Sequence, residues 1–246
     1  MTSASRITID TTAVSTVSYP MAHNRIAVLG PIRIGGAGRT VAGASVTVTL
    51  RDALGVLGSG AALVDLPAAG STVLTSPPSP LDPGAMARVQ EQRDGSLQVS
   101  VAIDGQMVAE RSFPVTILAA QQWVARPPML GLEMLAAFVM PNDPAIGTLS
   151  RRAGDLLAAG VGPAEPGRPQ GPLGTAGDPE RADRVADAVF AAFAQANVRE
   201  TQETQPPADW SDEGHLVRTP DEVLTRRVGT RLDAALIYAA TLEQSG

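Results

Sequence analysis

The first half of the chain alternates between apolar and polar residues with the two-residue period of a β-strand. Residues 6–10, 44–50 and 96–103 alternate in this way, and an extended pattern continues over 107–118. The Asp-Gly pair at 104–105 separates the last two stretches and is typical of a tight hairpin turn. This half of the chain is therefore predicted to consist of antiparallel strands.

Two segments between these strands are predicted to be connections. The proline-rich segment 76–84 cannot form a central strand, because proline lacks a backbone N–H group, so it is predicted to be a loop or an edge crossing. Residues 35–39 resemble a glycine-rich phosphate loop, but the Gly-Lys-Ser/Thr ending is missing and no helical pattern follows, so they predict a hairpin turn. Short strands punctuated by glycine and proline favour an immunoglobulin-like antiparallel β-sandwich over residues 1–118.

The hydrophobic pattern changes to helical spacing near residue 119. An apolar run ends before Asn142 and Asp143, either of which can cap a helix that has Pro144 at its first position. This helix is predicted to end at Gly160, because glycine readily terminates a helix. Residues 119–246 are therefore predicted to form a mainly helical domain, and the fold class of the whole chain is predicted to be α+β.

A second long helix is predicted to begin at Asp178, with Pro179 at its first position, after a glycine- and proline-rich loop over 160–177. Its apolar stripe consists of Ala182, Val185, Val189 and Phe193, and is widened by Ala186 and Phe190. At this spacing the two phenylalanines are predicted to pack in the core rather than to contact a ligand.

The last part of the sequence, from residue 219 onward, is predicted to contain two helices, each with a capping side chain at its N-terminus. Thr219 is predicted to cap a short helix that continues with Pro220, and Thr230 a second helix, with Asp233 in an approximate capping box. The apolar face of the second helix consists of Leu232, Leu236 and Ala239, joined by Ile237 and Ala240. The sequence stops at Gly246, directly after this helix. We therefore expect a truncated front end of a larger protein, with this apolar face uncovered or covered by a homodimer.

Composition narrows the classes of function. The net charge of −6 disfavours direct binding to nucleic acid, although all 19 basic residues are arginine. The absence of cysteine excludes disulfides, zinc–thiolate sites and cysteine catalysis within these residues. No histidine or carboxylate cluster has metal-ligand spacing, so neither a metal nor a cofactor is expected. With no apolar signal segment and no stretch of about 18 apolar residues, a cytoplasmic protein without membrane association is expected.

Several stretches, in order along the chain, resemble one protein family. They are SYPMAHN at 18–24, LAAFVMPNDP at 135–144, PPADW at 206–210, GHLVR at 214–218, RTPDEVL at 218–224, GTRLD at 229–233 and AATLEQSG at 239–246. Together they resemble the uncharacterised N-terminal region of large bacterial superfamily 1 helicases, which often end in a Vsr-like nuclease. The resemblance implies a β-sandwich followed by a transglutaminase- or papain-like domain.

The same resemblance implies where a catalytic site would lie. In such proteins a Gly-Thr-Cys-Leu-Asp motif begins a helix, whose N-terminus stabilises the thiolate, and a later histidine acts as base. The corresponding residues here are Gly229, Thr230, Arg231, Leu232 and Asp233, so arginine stands at the cysteine position. The segment that would carry the histidine lies beyond residue 246. His23 and His215 occupy positions where relatives tend to have glutamine, and both are predicted to be surface or hydrogen-bonding residues.

Three functions remain open at this point. The favoured prediction is a non-catalytic binding or scaffold module of a helicase–nuclease system that acts in defence against phage or foreign DNA. Its partner would be another protein or a downstream helicase or nuclease domain. The second is an inactivated remnant of a cysteine-dependent peptidase or transglutaminase-like acyl transferase, in which Arg231 replaces the nucleophile. The third is a free-standing β-sandwich interaction protein.

Overall fold

The computed structural model describes residues 7–124, 131, 133–160, 179–201 and 215–245. Strands and helices both contribute extensively, so the fold is α+β, as the sequence predicts. The predicted loop over 160–177, except Gly160, and the predicted helix start at Asp178 lie outside the described residues.

The chain divides into two compact units. They are Met1–Gln122, the β-rich unit, and Trp123–Gly246, the helical unit. The predicted boundary, between residues 118 and 119, lies four residues before this division.

The β-rich unit contains two sheets. Its elements are β1 (Thr8–Asp10), β2 (Thr16–Val17), α1 (Tyr19–His23), β3 (Ile32–Gly35), β4 (Val41–Asp52), β5 (Gly55–Leu66), β6 (Ser71–Leu74), α2 (Pro83–Met86), β7 (Arg93–Ile103) and β8 (Gln106–Ile117). Five strands form one sheet in the order β2-β8-β7-β4-β5, which is antiparallel except for the β2–β8 pair. The other sheet is antiparallel, in the order β1-β3-β6.

The core of the five-stranded sheet follows the predicted two-residue alternation. On β4 and β7 the pairs Val46–Val101, Val48–Val99 and Leu50–Leu97 lie directly opposite each other, and all six side chains are fully buried. The intervening positions on β4 and β7, such as Thr47 and Ser100, are polar and half-buried. Side chains alternate between the two faces of a strand, so this pattern gives the sheet one apolar and one polar face.

The Asp-Gly hairpin is confirmed. Asp104 and Gly105 connect β7 to β8, with Ile103 opposite Gln106, and both turn residues have positive φ angles of 52° and 77°. Two successive positive φ angles match the right-handed twist of the flanking strands, which is why Asp-Gly is favoured there.

The predicted hairpin at residues 35–39 is wrong. β3 ends at Gly35 and pairs with β1 and β6, whereas β4 begins at Val41 and pairs with β5 and β7. The segment therefore crosses from one sheet to the other. Gly36 and Gly38 have φ angles of 82° and 69°, a region that glycine enters without steric cost. The glycines correctly indicated a connection between two strands, but they do not show whether those strands pair with each other.

The proline-rich segment covers part of an edge strand. A Cβ atom on Gly58 of β5 would collide with the backbone oxygen of Pro80, and one on Gly60 would collide with that of Ser79. The backbone of the loop therefore lies directly against β5 at these glycines. β5 is the last strand of its sheet, so this contact shields part of an otherwise open edge.

In the described part of the helical unit there are four main helices and several two-residue strands. Its elements are β9 (Gln122–Trp123, across the division), a 3₁₀ helix (Glu133–Phe138), α3 (Pro144–Ala158), α4 (Pro179–Gln195), β10 (Arg199–Glu200), β11 (His215–Leu216), α5 (Pro220–Arg226), β12 (Val228–Gly229) and α6 (Arg231–Ser245). β9 pairs with β11, and β10 pairs in parallel with β12. Among the described residues, no helix is long and apolar enough to cross a lipid bilayer.

The predicted limits of α3 are confirmed. The carboxylate of Asp143 accepts a hydrogen bond of 2.8 Å from the backbone N–H of Ala145, and Pro144 occupies the first turn. Gly160 follows the helix with a φ angle of 71°. Both ends depend on local backbone chemistry, which makes them readable from the sequence.

The predicted apolar stripe of α4 is partly wrong. Three of its members pack against the core: Val185, Val189 and Phe193. Ala182 is exposed and the side chain of Phe190 is 66% exposed. The buried face instead includes Ala188 and Ala192, because the packing surface is rotated toward these small residues, away from Phe190.

The apolar face of α6 is covered within the chain, which contradicts the expectation of an uncovered face. Leu236, Ile237 and Ala240 are buried, and Ile237 and Ala240 belong to a core shared by α3, α4 and α5. The reason for predicting a homodimer through this helix therefore falls away, although the oligomeric state itself stays a prediction. Asp233 and Thr241 lie fully buried on the same side of the helix, a feature that the sequence did not predict.

Candidate functional site

The degenerate motif at 229–233 lies where β12 ends and α6 begins. Glu200 of β10 is opposite Gly229 of β12, so the neighbouring strand runs alongside the motif. A Cβ atom on Gly229 would lie 3.0 Å from Cγ1 of Val223 in α5, which is tighter than ordinary contact. Glycine therefore allows the strand to pack closely against α5. The predicted placement at a helix start agrees with the structure.

Asp233 is a fully buried carboxylate with a complete set of partners. Its Oδ1 accepts a hydrogen bond from the backbone N–H of Arg218 at 2.9 Å, and its Oδ2 accepts from Arg218 Nη1 at 3.0 Å. Oδ2 also accepts from the backbone N–H of Thr230 at 2.9 Å, while Thr230 Oγ1 accepts from the backbone N–H of Asp233 at 3.1 Å. A buried charge is tolerated only when it is paired and hydrogen-bonded, and Asp233 meets both conditions.

Arg231 has the opposite environment. Its side chain is 88% exposed, and its Nε donates a hydrogen bond of 2.7 Å to Oε1 of Glu200, which is also largely exposed. The position that carries cysteine in the resembling proteins is thus open to solvent at the start of α6. Because guanidinium stays protonated at neutral pH, Arg231 can act neither as a nucleophile nor as a general base.

The two histidines belong to different units. His23 belongs to α1 of the β-rich unit, where its Nδ1 is 3.5 Å from the hydroxyl of Tyr19. His215 lies against the ring of Trp123, with 5.5 Å between the ring centroids. Trp123 is buried and donates from Nε1 to the backbone oxygen of Gly131 at 2.8 Å. Among the described residues, no group of three or more histidine, aspartate or glutamate side chains could hold a metal ion.

A groove between α3, α4 and α5 is the second candidate site, and the sequence did not predict it. We call it the helical-unit groove; its volume is about 490 Å³. Its lining residues are Pro144, Ala145, Thr148, Leu149, Arg152, Ala192, Gln195, Ala196, Asp221, Leu224, Thr225 and Arg227. Three helices that are distant in sequence thus contribute to one surface.

The groove has an aliphatic floor and a charged rim. Leu149 and Ala192 belong to the buried core, and Leu224 packs against it from the side, so the floor is the outer edge of that core. The rim carries the exposed side chains of Arg152 and Arg227. An apolar surface beside a few polar groups is the usual composition of a ligand-binding site.

The rim side chains are held by local contacts. Arg152 Nε donates to Oε1 of Gln195 at 2.9 Å, which ties α3 to the end of α4. Arg227 ends α5 in the left-handed conformation, with a φ angle of 54°, and its backbone oxygen accepts from the N–H of Arg199 at 2.9 Å. Asp221 Oδ1 accepts a long hydrogen bond of 3.4 Å from Thr225 Oγ1.

A smaller cavity of about 380 Å³ lies in the β-rich unit, between β1 and the outer edge of β8. Arg111 of β8 crosses this region, and its Nη1 donates to the backbone oxygen of Ile9 at 3.0 Å and to Asp10 Oδ1 at 3.1 Å. These bonds hold β1 onto β8, so the cavity is explained by the packing of two strands.

No protein-family model and no curated protein sequence matches this chain.

Proposed function

We propose that the chain is a non-catalytic binding module that recruits a protein partner, as the cytoplasmic N-terminal part of a helicase–nuclease system that acts against phage or foreign DNA. The observation that carries this proposal is the contrast within the motif at 229–233. Arg231 faces solvent in an ion pair with Glu200, whereas Asp233 is fully buried and bonded within the fold. The motif is thus used to hold the helical unit together, and its predicted nucleophile position carries an arginine, which cannot attack a substrate.

The arginine at position 231 supports the proposal that the motif has lost a catalytic nucleophile. A thiolate at the start of α6 would be stabilised by the partial positive charge of the helix N-terminus. An arginine there adds positive charge and pairs with a carboxylate instead. The exposed guanidinium of Arg231 and the carboxylate beside it could form hydrogen bonds with a partner molecule.

The helicase–nuclease context rests on the resemblance of ordered sequence stretches to the N-terminal region of large superfamily 1 helicases. The same resemblance leads us to propose an immunoglobulin-like arrangement of the β-rich unit and a transglutaminase- or papain-like ancestry of the helical unit. The two sheets with a buried apolar face, and a helix that opens with the degenerate motif, support these finer assignments.

Co-purification tests the proposed function. The tagged chain would be mixed with a superfamily 1 helicase from the same genome, and the mixture analysed by size-exclusion chromatography with light scattering. We expect one complex whose mass equals the sum of both chains, and no complex with an unrelated protein carrying the same tag. Separate elution of the two proteins at micromolar concentrations would contradict the proposal.

A further inference from the structure

We infer that the helical-unit groove binds an acidic peptide segment of the partner, with a carboxylate between Arg152 and Arg227 and an aliphatic side chain on the floor. This inference rests on the proposed function, because it names the chemistry by which the binding module would recognise its partner.

The positive charge of the groove rim is the first reason to expect a carboxylate as ligand. Arg152 uses only its Nε within the part of the chain that is described, so both of its terminal nitrogens are available for hydrogen bonds. Arg227 has no side-chain hydrogen bond or ion pair with any described residue. Guanidinium groups form short, charge-assisted hydrogen bonds to carboxylates, and their planar forks suit bidentate pairing.

The excess of positive charge is local. Of the described residues, two arginines and one carboxylate, Asp221, line the groove, whereas the whole chain has a net charge of −6. A partner with isolated acidic side chains would therefore be attracted to the groove and repelled by much of the remaining surface. This contrast gives an acidic peptide one favoured place to bind.

The residues on the groove floor favour a peptide over nucleic acid as the ligand. Among the described residues that line the groove, the apolar ones are proline, alanine and leucine, and none carries an aromatic ring on which a base could stack. Asp221 would oppose a continuous chain of phosphates, but it leaves room for a single carboxylate placed between the arginines. The half-buried Leu224 and Ala145 and the exposed Pro144 offer aliphatic contacts for the apolar side chains of a peptide.

A peptide selection followed by titration tests the inference. The immobilised chain would be presented with a phage-displayed library of random peptides, and the enriched sequences determined. We expect aspartate or glutamate next to leucine, isoleucine or valine. A fluorescein-labelled copy of the most enriched peptide would then be titrated by fluorescence anisotropy. Because two charge-assisted bonds are removed, the double variant Arg152→Ala with Arg227→Ala should raise Kd about tenfold or more.

A matched double variant separates a specific groove from general attraction. Arg151→Ala with Arg226→Ala removes the same charge from the adjacent positions on α3 and α5, which do not line the groove. This control should leave Kd within about twofold, because exposed charges that do not contact the peptide are largely screened by salt. Replacing each acidic residue of the peptide by its amide should weaken binding to the wild-type chain as strongly as the groove variant does.

In the peptide and oligonucleotide assays, three results would overturn the inference: no acidic consensus, equal loss of affinity in the two double variants, or tight binding of labelled oligothymidine that the groove variant abolishes. The last result would assign the groove to nucleic acid. If the helicase chain binds the groove variant and the wild type equally well, the groove inference fails but the proposed function stands. If the wild type binds no partner, the proposed function fails.

Discussion

At the scale of single residues, neighbouring positions in one motif have opposite roles. Asp233 is fully buried and connects three points of the helical unit: the backbone of Arg218, its guanidinium and the backbone of Thr230. Arg231, two residues earlier, is exposed and bonds only to Glu200 among the residues described. Sequence patterns identified both positions but could not assign burial, because capping residues are exposed in most proteins.

Replacing Asp233 should strongly destabilise the helical unit. Asp233→Ala leaves the partly buried guanidinium of Arg218 and two backbone N–H groups without their acceptor. We expect the free energy of unfolding to fall by about 3 kcal/mol, as measured by urea unfolding followed by circular dichroism.

The matched control for this prediction is Arg231→Ala, in the same motif. Its ion pair with Glu200 is exposed, so the change should alter the free energy of unfolding by less than about 1 kcal/mol. Equal effects of the two substitutions would show that Asp233 does not have the structural role described above.

Tyr238 should make stability depend on pH in the alkaline range. Burial raises the pKa of its phenol, and the nearby Asp187 carboxylate raises it further, while its hydroxyl donates to the backbone oxygen of Ala186. The phenol of an unfolded chain ionises near pH 10, before that of the folded protein. The contribution of the neutral Tyr238 phenol to the free energy of unfolding is thus complete below about pH 10. It is lost as the pH rises toward the pKa that the phenol has in the folded protein.

Urea unfolding of the wild type and of Tyr238→Phe between pH 8 and pH 11 would measure this effect. We expect the wild type to lose stability more steeply above about pH 10 than the variant, which has no phenol to ionise. Parallel pH profiles of the two proteins would be inconsistent with a raised pKa at Tyr238.

At the scale of elements, the sequence was most informative where structure depends on local chemistry. The caps at Asp143, Thr219 and Thr230 were predicted because each involves a side chain and a backbone group within three residues. Strand β5 was not predicted, because Gly55, Gly58 and Gly60 interrupt the apolar alternation along it. The exposure of Phe190 could not be predicted, since helical periodicity leaves the angular position of the buried face uncertain by about one residue.

Because the proline-rich loop lies against β5, adding a side chain at this contact should destabilise the β-rich unit. Gly58→Val should push the loop away, because its Cβ would overlap the backbone oxygen of Pro80 and lie 3.2 Å from the nitrogen of Asp82. We expect the β-rich unit to be destabilised by about 1–3 kcal/mol in urea unfolding.

Ala61→Val on the same strand provides the comparison. Ala61 is exposed, and valine favours extended backbone, so this change should be neutral or slightly stabilising. If Gly58→Val is tolerated as well as Ala61→Val, the loop does not lie against β5 in solution.

At the scale of the whole molecule, the α+β class was predictable but the helical-unit groove was not. Arg152 and Arg227 are 75 positions apart, and neither belongs to a motif. Both line the helical-unit groove because α3, α4 and α5 share a core that includes Ile146, Val189 and Val223. A site that depends on packing between distant helices leaves no periodic signal, whereas the motif at 229–233 is contiguous and could be found by pattern.

The buried ring of Trp123 has a practical consequence for separating the two units. Both tryptophans of the chain, Trp123 and Trp210, fall in the helical unit, and the β-rich unit has none. Indole emission excited at long wavelength therefore reports the helical unit alone, whereas far-ultraviolet dichroism reports both. Recording the two signals during one denaturation would show whether the units unfold together or in sequence, without cutting the chain or adding a dye.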